Sequence, residues 1–142
     1  MSSQTPNIFD KAGSDLRKAK SQWPLIKNAF LNMTQSWKTY IEAQLKDTLT
    51  LTTISETSLT GIIFDRVFFI DLDLQFRNES FLGKISILTN DKLTTNKLVI
   101  TTYSIDAHGD IHDEENNVVV SNLTESPYYH FLILLIQKIA IH

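Results

Sequence analysis

Apolar residues near the N-terminus recur at steps of three and four, which is the period of an amphipathic α-helix. They predict a first helix over roughly residues 7–20. Pro24 suits the first position of a new helix, and the same period then continues to Leu45. The N-terminal third therefore predicts two consecutive helices. The apolar positions of the first are Ile8, Phe9, Ala12, Leu16, Ala19 and Trp23.

From Thr48 onward, β-branched residues, alternation and short polar breaks replace the helical period. This pattern predicts strands near 48–55, 59–76, 81–89 and 97–106, followed by a short strand that ends near residue 120. Within 59–76, the residues Phe68, Ile70, Leu72, Leu74 and Phe76 share one face. The other face, which includes Asp71 and Asp73, becomes polar along its length. An antiparallel meander with one face on the core is the expected arrangement.

Turn residues separate these strands. Arg77-Asn-Glu-Ser and Thr89-Asn-Asp-Lys have the composition of hairpin connections. Asp106-Ala-His-Gly-Asp has the Gly and Asp that tight turns favour. The sheet should therefore contain about four or five strands joined by short loops.

The C-terminal segment predicts a final helix. Ser126 before Pro127 suits an N-cap followed by a first helical position, and the helix should run to about Ala140. Residues 131–136 are apolar on every side, so this helix must be covered all round. The sheet and the first helices could cover it, or a second copy of the chain could.

Together these elements predict an α+β fold: N-terminal helices, an antiparallel meander of about four or five strands, and a C-terminal apolar helix packed on the sheet. A length of 142 residues fits one domain, 1–142, of which residues 1–6 should form a flexible tail. Hydrophobic residues make up 42% and charged residues 20%, which is ordinary globular composition.

The absence of cysteine excludes disulfides, thiolate nucleophiles and zinc–thiolate sites, and it fits a reducing cytoplasm. The N-terminus has neither the basic patch nor the apolar segment of a signal peptide. The longest strongly apolar stretch, 128–136, is far shorter than the ~20 residues that span a bilayer. We therefore expect a cytoplasmic protein that does not cross a membrane.

Charge is unevenly distributed. Residues 1–47 carry seven Lys or Arg and four Asp or Glu, whereas the remainder carries six and twelve. An acidic body disfavours non-specific contact with nucleic acid and favours a basic protein partner. The basic residues near the two tryptophans, Trp23 and Trp37, are more typical of a solvated helix face than of a nucleic-acid interface. These basic residues are Lys11, Arg17, Lys18, Lys20 and Lys27.

Two groups of residues have the chemistry of a metal site. Carboxylates two apart on a strand share a face about 7 Å apart, so Asp71 and Asp73 could help to hold a divalent cation. His108 and His112 lie among acids, and imidazole with carboxylate suits zinc, manganese or iron. The alternative interpretation needs no metal. Asp71 and Asp73 would be the polar positions of a half-exposed strand, and the second group would be a polar turn followed by an acidic loop.

Other catalytic constellations are missing from the sequence. There is no Gly-x-Ser-x-Gly elbow, and the four glycines form no phosphate-binding loop. The expected function is therefore a non-catalytic protein-interaction module without a cofactor, such as an inhibitor, an immunity-type protein or an adaptor. It would bind its partner through an acidic surface. That surface consists of Asp71, Asp73, Asp106, Asp110, Asp113, Glu114 and Glu115.

Two alternatives remain open at this point. The first is a metal-dependent hydrolase or phosphoryl-transfer enzyme that uses Asp71 and Asp73, or His108 and His112. The second is a homodimeric, chaperone-like structural protein whose C-terminal helix forms the interface.

Overall fold

The computed structural model describes residues 8–91, 93–94, 96–121 and 127–141. Within these residues the chain forms two helices, α1 (Ile8–Gln44) and α2 (Pro127–Ile141), with seven strands between them. Neighbouring strands are antiparallel and follow one another in chain order, so the predicted α+β class with an antiparallel meander is confirmed. The strands are β1 (Leu49–Ile54), β2 (Ser58–Ile63), β3 (Arg66–Arg77), β4 (Ser80–Asn90), β5 (Lys97–Ile105), β6 (Ile111–His112) and β7 (Val118–Val120).

One continuous helix replaces the two predicted N-terminal helices. α1 is 37 residues long and contains Pro24 in its interior. Proline has no amide hydrogen to donate to the carbonyl of Lys20, one turn earlier. Both residues are exposed, so that carbonyl lies where water can satisfy it. The predicted break at Pro24 was wrong because the apolar period continues in register on both sides of it.

The predicted strand 59–76 is in fact two strands, β2 and β3, joined by a tight turn at Phe64 and Asp65. These residues have φ values of 49° and 64°, the left-handed conformation that a type I′ hairpin needs at both central positions. Glycine and asparagine usually occupy these positions, so the composition gave no signal of a break. The hairpin predicted at Arg77-Asn-Glu-Ser is confirmed, with the same kind of turn at Asn78 and Glu79.

The described residues thus contain more strands than the four or five predicted. One reason is the turn at residues 64–65. The other lies in the segment 110–120, which supplies both β6 and β7, each only two or three residues long. Such short edge strands carry little alternation, so sequence periodicity could not separate them.

The sheet packs one face, its inner face, against the helices. Alternation along β3 buries Phe68, Ile70 and Leu72 on this face and places Asp71 and Asp73 on the outer face. Both helices contribute to the same hydrophobic core. Their buried residues are Ile26, Ala29, Phe30, Met33, Trp37 and Ile41 from α1, and Phe131, Leu132, Leu135 and Ile139 from α2.

The direction of α1 across the sheet is fixed by contacts at both ends. Lys27 Nζ lies 3.5 Å from a carboxylate oxygen of Glu56 in the β1–β2 turn. At the other end of the sheet, the amide of Leu49 donates to the carbonyl of Leu45 as β1 begins. The helix therefore enters the inner face at the end that carries the β1–β2 and β3–β4 turns.

α2 docks mainly on α1 and on β7, the last strand of the sheet, whereas the sequence predicted a helix packed on the sheet. Trp37 Nε1 donates to the carbonyl of Tyr128 at 2.7 Å. Arg66 Nη1 donates to the carbonyl of Ile139 at 2.8 Å, so a β3 side chain satisfies the last turn of α2. The chain itself covers most of this apolar helix, although Ile133 is 38% exposed.

Ser126, the predicted N-cap of α2, lies outside the described residues, and so does the predicted tail 1–6. Within the described part of the chain, neither helix combines the length and the apolar character needed to cross a bilayer.

Candidate functional site

Asp71 and Asp73 lie on the outer face of β3, as predicted. Asp71 is opposite Ser86 and Asp73 is opposite Lys84 on β4. Asp73 is exposed and Asp71 is half-buried. A carboxylate facing an amine across a strand pair is an ordinary stabilising arrangement on a solvated sheet face.

Asp106 and Asp110 belong to the turn between β5 and β6. One Asp106 carboxylate oxygen accepts the amides of His108 at 2.9 Å and of Asp110 at 3.0 Å. Gly109, with φ 90°, reverses the chain within this turn, so residues 106–112 do not alternate along one straight strand. Burial raises the pKa of Tyr128, and the charges of Asp110 and Asp106 raise it further, which places this turn near the start of α2.

Asp113, Glu114 and Glu115 form the turn between β6 and β7. One oxygen of Asp113 accepts the amides of Glu115 and Asn117, each at 2.9 Å. The hydrogen bond from the Asn117 amide is the largest cause lowering the pKa of Asp113 below its ordinary value. Glu114 Oε1 accepts the amide of Thr102 at 3.2 Å and its hydroxyl at 2.8 Å. Two of these three carboxylates therefore hold the backbone of the chain itself.

The predicted acids therefore lie in three separate places: the outer face of the sheet, the β5–β6 turn near α2, and the β6–β7 turn beside β5. His108 is exposed in the β5–β6 turn, whereas His112 is on β6 and pairs with Ser104. In the described part of the chain, no three His, Asp or Glu side chains converge as a metal-binding group. The structure does not bring the candidate ligands Asp71, Asp73, His108 and His112 together.

A different surface stands out on α1. None of residues 10–22, the part of its first half whose side chains the structure describes, belongs to the hydrophobic core. The first core members along the described chain are the partly buried Trp23 and the fully buried Ile26. Leu16 is 71% exposed, although it lies on the apolar stripe that continues into the core. We call Ala12, Leu16 and Ala19 the uncovered stripe. Sequence periodicity identified these residues as apolar positions but could not show that the sheet ends before it reaches them.

The end of the sheet from which this half-helix emerges is also apolar. Leu74 and Phe76 on β3 continue the inner face past the core and are 40% and 47% exposed. The ring of Phe76 lies 4.8 Å from that of Phe81 on β4. α1 crosses β4 at Gly83, since an added Cβ there would come within 2.7 Å of Ile26 Cγ2. Leu74 lies directly opposite Gly83, and Phe76 and Phe81 lie beyond it toward the β3–β4 turn.

The uncovered half of α1 is also the most basic part of the described chain. Residues 10–22 carry four basic and two acidic side chains. All four basic side chains are exposed, and they make no ion pair within the described residues. The basic side chains are Lys11, Arg17, Lys18 and Lys20.

Comparison with known proteins gives no assignment: no family model, no curated protein and no solved structure matches this chain.

Proposed function

We propose that this chain is a non-catalytic protein-interaction module, of the inhibitor, immunity-type or adaptor kind, that binds its partner with the first half of α1. The observation that carries the proposal is the uncovered stripe: Leu16 is 71% exposed on the same helix face that is fully buried from Ile26 onward.

Helix energetics support this reading. Isolated helices shorter than about 12–15 residues are marginal in water, because packing of an apolar face supplies most helix stability in proteins. The first half of α1 has such a face, and none of its residues from 10 to 22 belongs to the hydrophobic core. A partner that covers Ala12, Leu16 and Ala19 would supply the missing burial, worth about 25 cal/mol per Å² of apolar surface.

The partner surface best suited to this stripe is an amphipathic helix with acidic flanks. Spacing of three and four places the stripe on one narrow face, and the small side chains of Ala12 and Ala19 let a second helix approach closely. The surplus of basic residues around the stripe favours acidic flanks and disfavours a second copy of this half-helix, which would bring like charges together.

The acidic surface predicted from the sequence is a separate proposal. Asp71, Asp73 and Glu115 make no side-chain hydrogen bond within the described residues, so their carboxylates are free to meet a basic partner. Asp106, Asp113 and Glu114 hold turns of their own chain. Substitutions at the first three therefore test this surface without disturbing the turns.

A site-specific crosslinking experiment tests the α1 proposal. A photoreactive amino acid at Leu16 should crosslink to one partner species in extract of the native host. The same amino acid at Glu42, exposed on the packed half of α1, should not. The crosslink should weaken with added salt, because the basic residues contribute to the encounter.

Two competitors with the same added charge make this test specific. Excess unlabelled Ser21→Glu protein, altered on the side of α1 away from the stripe, should compete as well as the natural chain. Excess Ala19→Glu protein should compete at least about tenfold less well, since it buries a charge in the contact. Equal competition by both variants would contradict the proposal, as would crosslinks from Leu16 only to another copy of this chain.

A further inference from the structure

The outer face of the sheet contains a cavity of about 310 Å³ that the α1 proposal does not use. It lies over β3, β4 and β5 and is closed on one side by the turn 113–117. A volume of this size is at the lower end of small-molecule sites in proteins. Polar and charged side chains line most of it: Gln75, Arg77, Lys84, Thr102, Ser104, Asp113 and Glu114.

Opposite charges line two different walls of this cavity. Arg77 on β3 and Lys84 on β4 form a cationic wall, and Asp113 and Glu114 form an anionic wall. Among the described residues, no ion pair within 4 Å joins the two walls. The cavity therefore keeps both charges available.

The two walls differ in their freedom. The hydrogen bonds from Thr102 to Glu114 and from Asn117 to Asp113 fix the carboxylates in place. Arg77 and Lys84 make no side-chain hydrogen bond or ion pair within the described residues. The anionic wall is therefore preorganised for the positive end of a ligand, and the two unpaired cations are able to contact its negative end.

Ser104 supplies an independent sign of a ligand. It lines the cavity and is 4% exposed, yet its hydroxyl is the one buried side-chain polar atom of the described residues without a hydrogen-bond partner. A buried hydroxyl in that state is costly, and native structures contain few of them. A ligand oxygen or nitrogen in the cavity would give this group its partner.

We propose that this cavity binds a small zwitterion of the size of a free amino acid. Its carboxylate would contact Arg77 and Lys84, its ammonium group would contact Asp113 and Glu114, and the hydroxyl of Ser104 would form a hydrogen bond with the ligand. A simple anion would meet the carboxylates, and a simple cation would meet Arg77 and Lys84, so a ligand that carries both charges fits best. This inference is independent of the α1 proposal.

Nuclear magnetic resonance titration of the isolated protein tests the inference. The probes are the twenty common amino acids, the N-acetyl and carboxamide derivatives of any that binds, and inorganic phosphate as a simple anion. At least one amino acid should shift the amide signals of Thr102, Ser104 and Lys84. Removing either charge of the ligand should weaken binding at least about tenfold, the usual value of one charge-assisted hydrogen bond.

Variants locate the site. Arg77→Gln and Glu114→Gln should each weaken binding about tenfold or more, and Lys20→Gln, on exposed α1, should leave it unchanged. Glu114→Gln keeps an oxygen that can accept from Thr102, so it removes the charge and preserves the turn. Ser104→Ala should weaken binding without lowering the melting temperature of the ligand-free protein.

Three results would overturn the inference. The first is the absence of signal changes at the cavity with every amino acid at 10 mM, a concentration far above that of ordinary metabolite sites. The second is binding of phosphate or of the N-acetyl form as tight as that of the parent amino acid, which would define an anion site instead. The third is binding that Arg77→Gln and Glu114→Gln leave intact.

Discussion

Replacing Trp37 with alanine should lower the free energy of unfolding by about 4 kcal/mol, the middle of the range for truncating a buried aromatic residue. Trp37 is fully buried, and its ring lies 5.9 Å from that of Phe131 on α2. Its Nε1 also donates to the carbonyl of Tyr128. The substitution therefore opens a cavity where α1 meets α2 and removes the hydrogen bond from α1 to the carbonyl of Tyr128.

Trp37→Phe separates these two effects, because it keeps most of the volume and removes only the donor. We expect it to cost about 1–2 kcal/mol. Urea denaturation followed by circular dichroism measures both variants, with the dependence on urea unchanged if the fold is retained. A loss below about 1.5 kcal/mol for Trp37→Ala would show that the α1–α2 contact is looser than described.

Replacing Gly83 with alanine should destabilise the protein by about 1–3 kcal/mol through overpacking. A Cβ atom at Gly83 would lie 2.6 Å from Leu72 Cδ1, 2.7 Å from Ile26 Cγ2 and 2.9 Å from Ile105 Cγ2. All three belong to buried residues, so the methyl groups have no free space into which to move. The close approach of α1 to β4 thus depends on the missing side chain.

Gly13→Ala is the matched control, because the nearest atom to its added Cβ is Arg17 Nη1 at 3.5 Å. In a helix this change should be neutral or stabilising by up to about 1 kcal/mol. The pair is measured by thermal and urea unfolding. Equal effects of the two substitutions would mean that α1 does not cross β4 at Gly83.

The sequence predicted the parts of this fold that depend on periodicity. The helical period of Ile26, Phe30, Met33 and Trp37 defines the buried face of α1. Alternation along β3 separates buried from outer-face residues as predicted. These patterns are visible because each buried face repeats over several turns or several residue pairs.

The parts it missed depend on local strain and on distant pairing. The turn at Phe64 and Asp65 carries no Gly or Asn, and Pro24 is tolerated inside α1 because its side of the helix faces solvent. Composition predicts neither the turn nor the uninterrupted helix. The turn is imposed by the pairing of β2 with β3, and the helix continues because both of its flanking segments are helical. The strand count and the number of N-terminal helices were wrong for this reason.

The candidate surfaces show the same division. The acids of the turn 113–117 were predicted from the sequence, but their place opposite Arg77 and Lys84 was not. That cavity is formed by the pairing of β3, β4 and β5, whose register the sequence does not give. Leu16 was predicted as an apolar position of the helix, but its exposure was not. How much of α1 the sheet covers depends on tertiary packing, which periodicity does not show. The chemistry of the individual residues was thus predictable from the sequence, whereas the way the fold brings them together was not.

Hydrogen–deuterium exchange of the isolated protein at low concentration tests the central claim most directly, because it reports whether the first half of α1 is covered. Amides of residues 10–22 should exchange at least about a hundredfold faster than those of residues 26–41, since only the latter form part of the core. Addition of the crosslinked partner should slow exchange within 10–22 selectively. Protection of 10–22 equal to that of 26–41 in the isolated monomer would contradict the account.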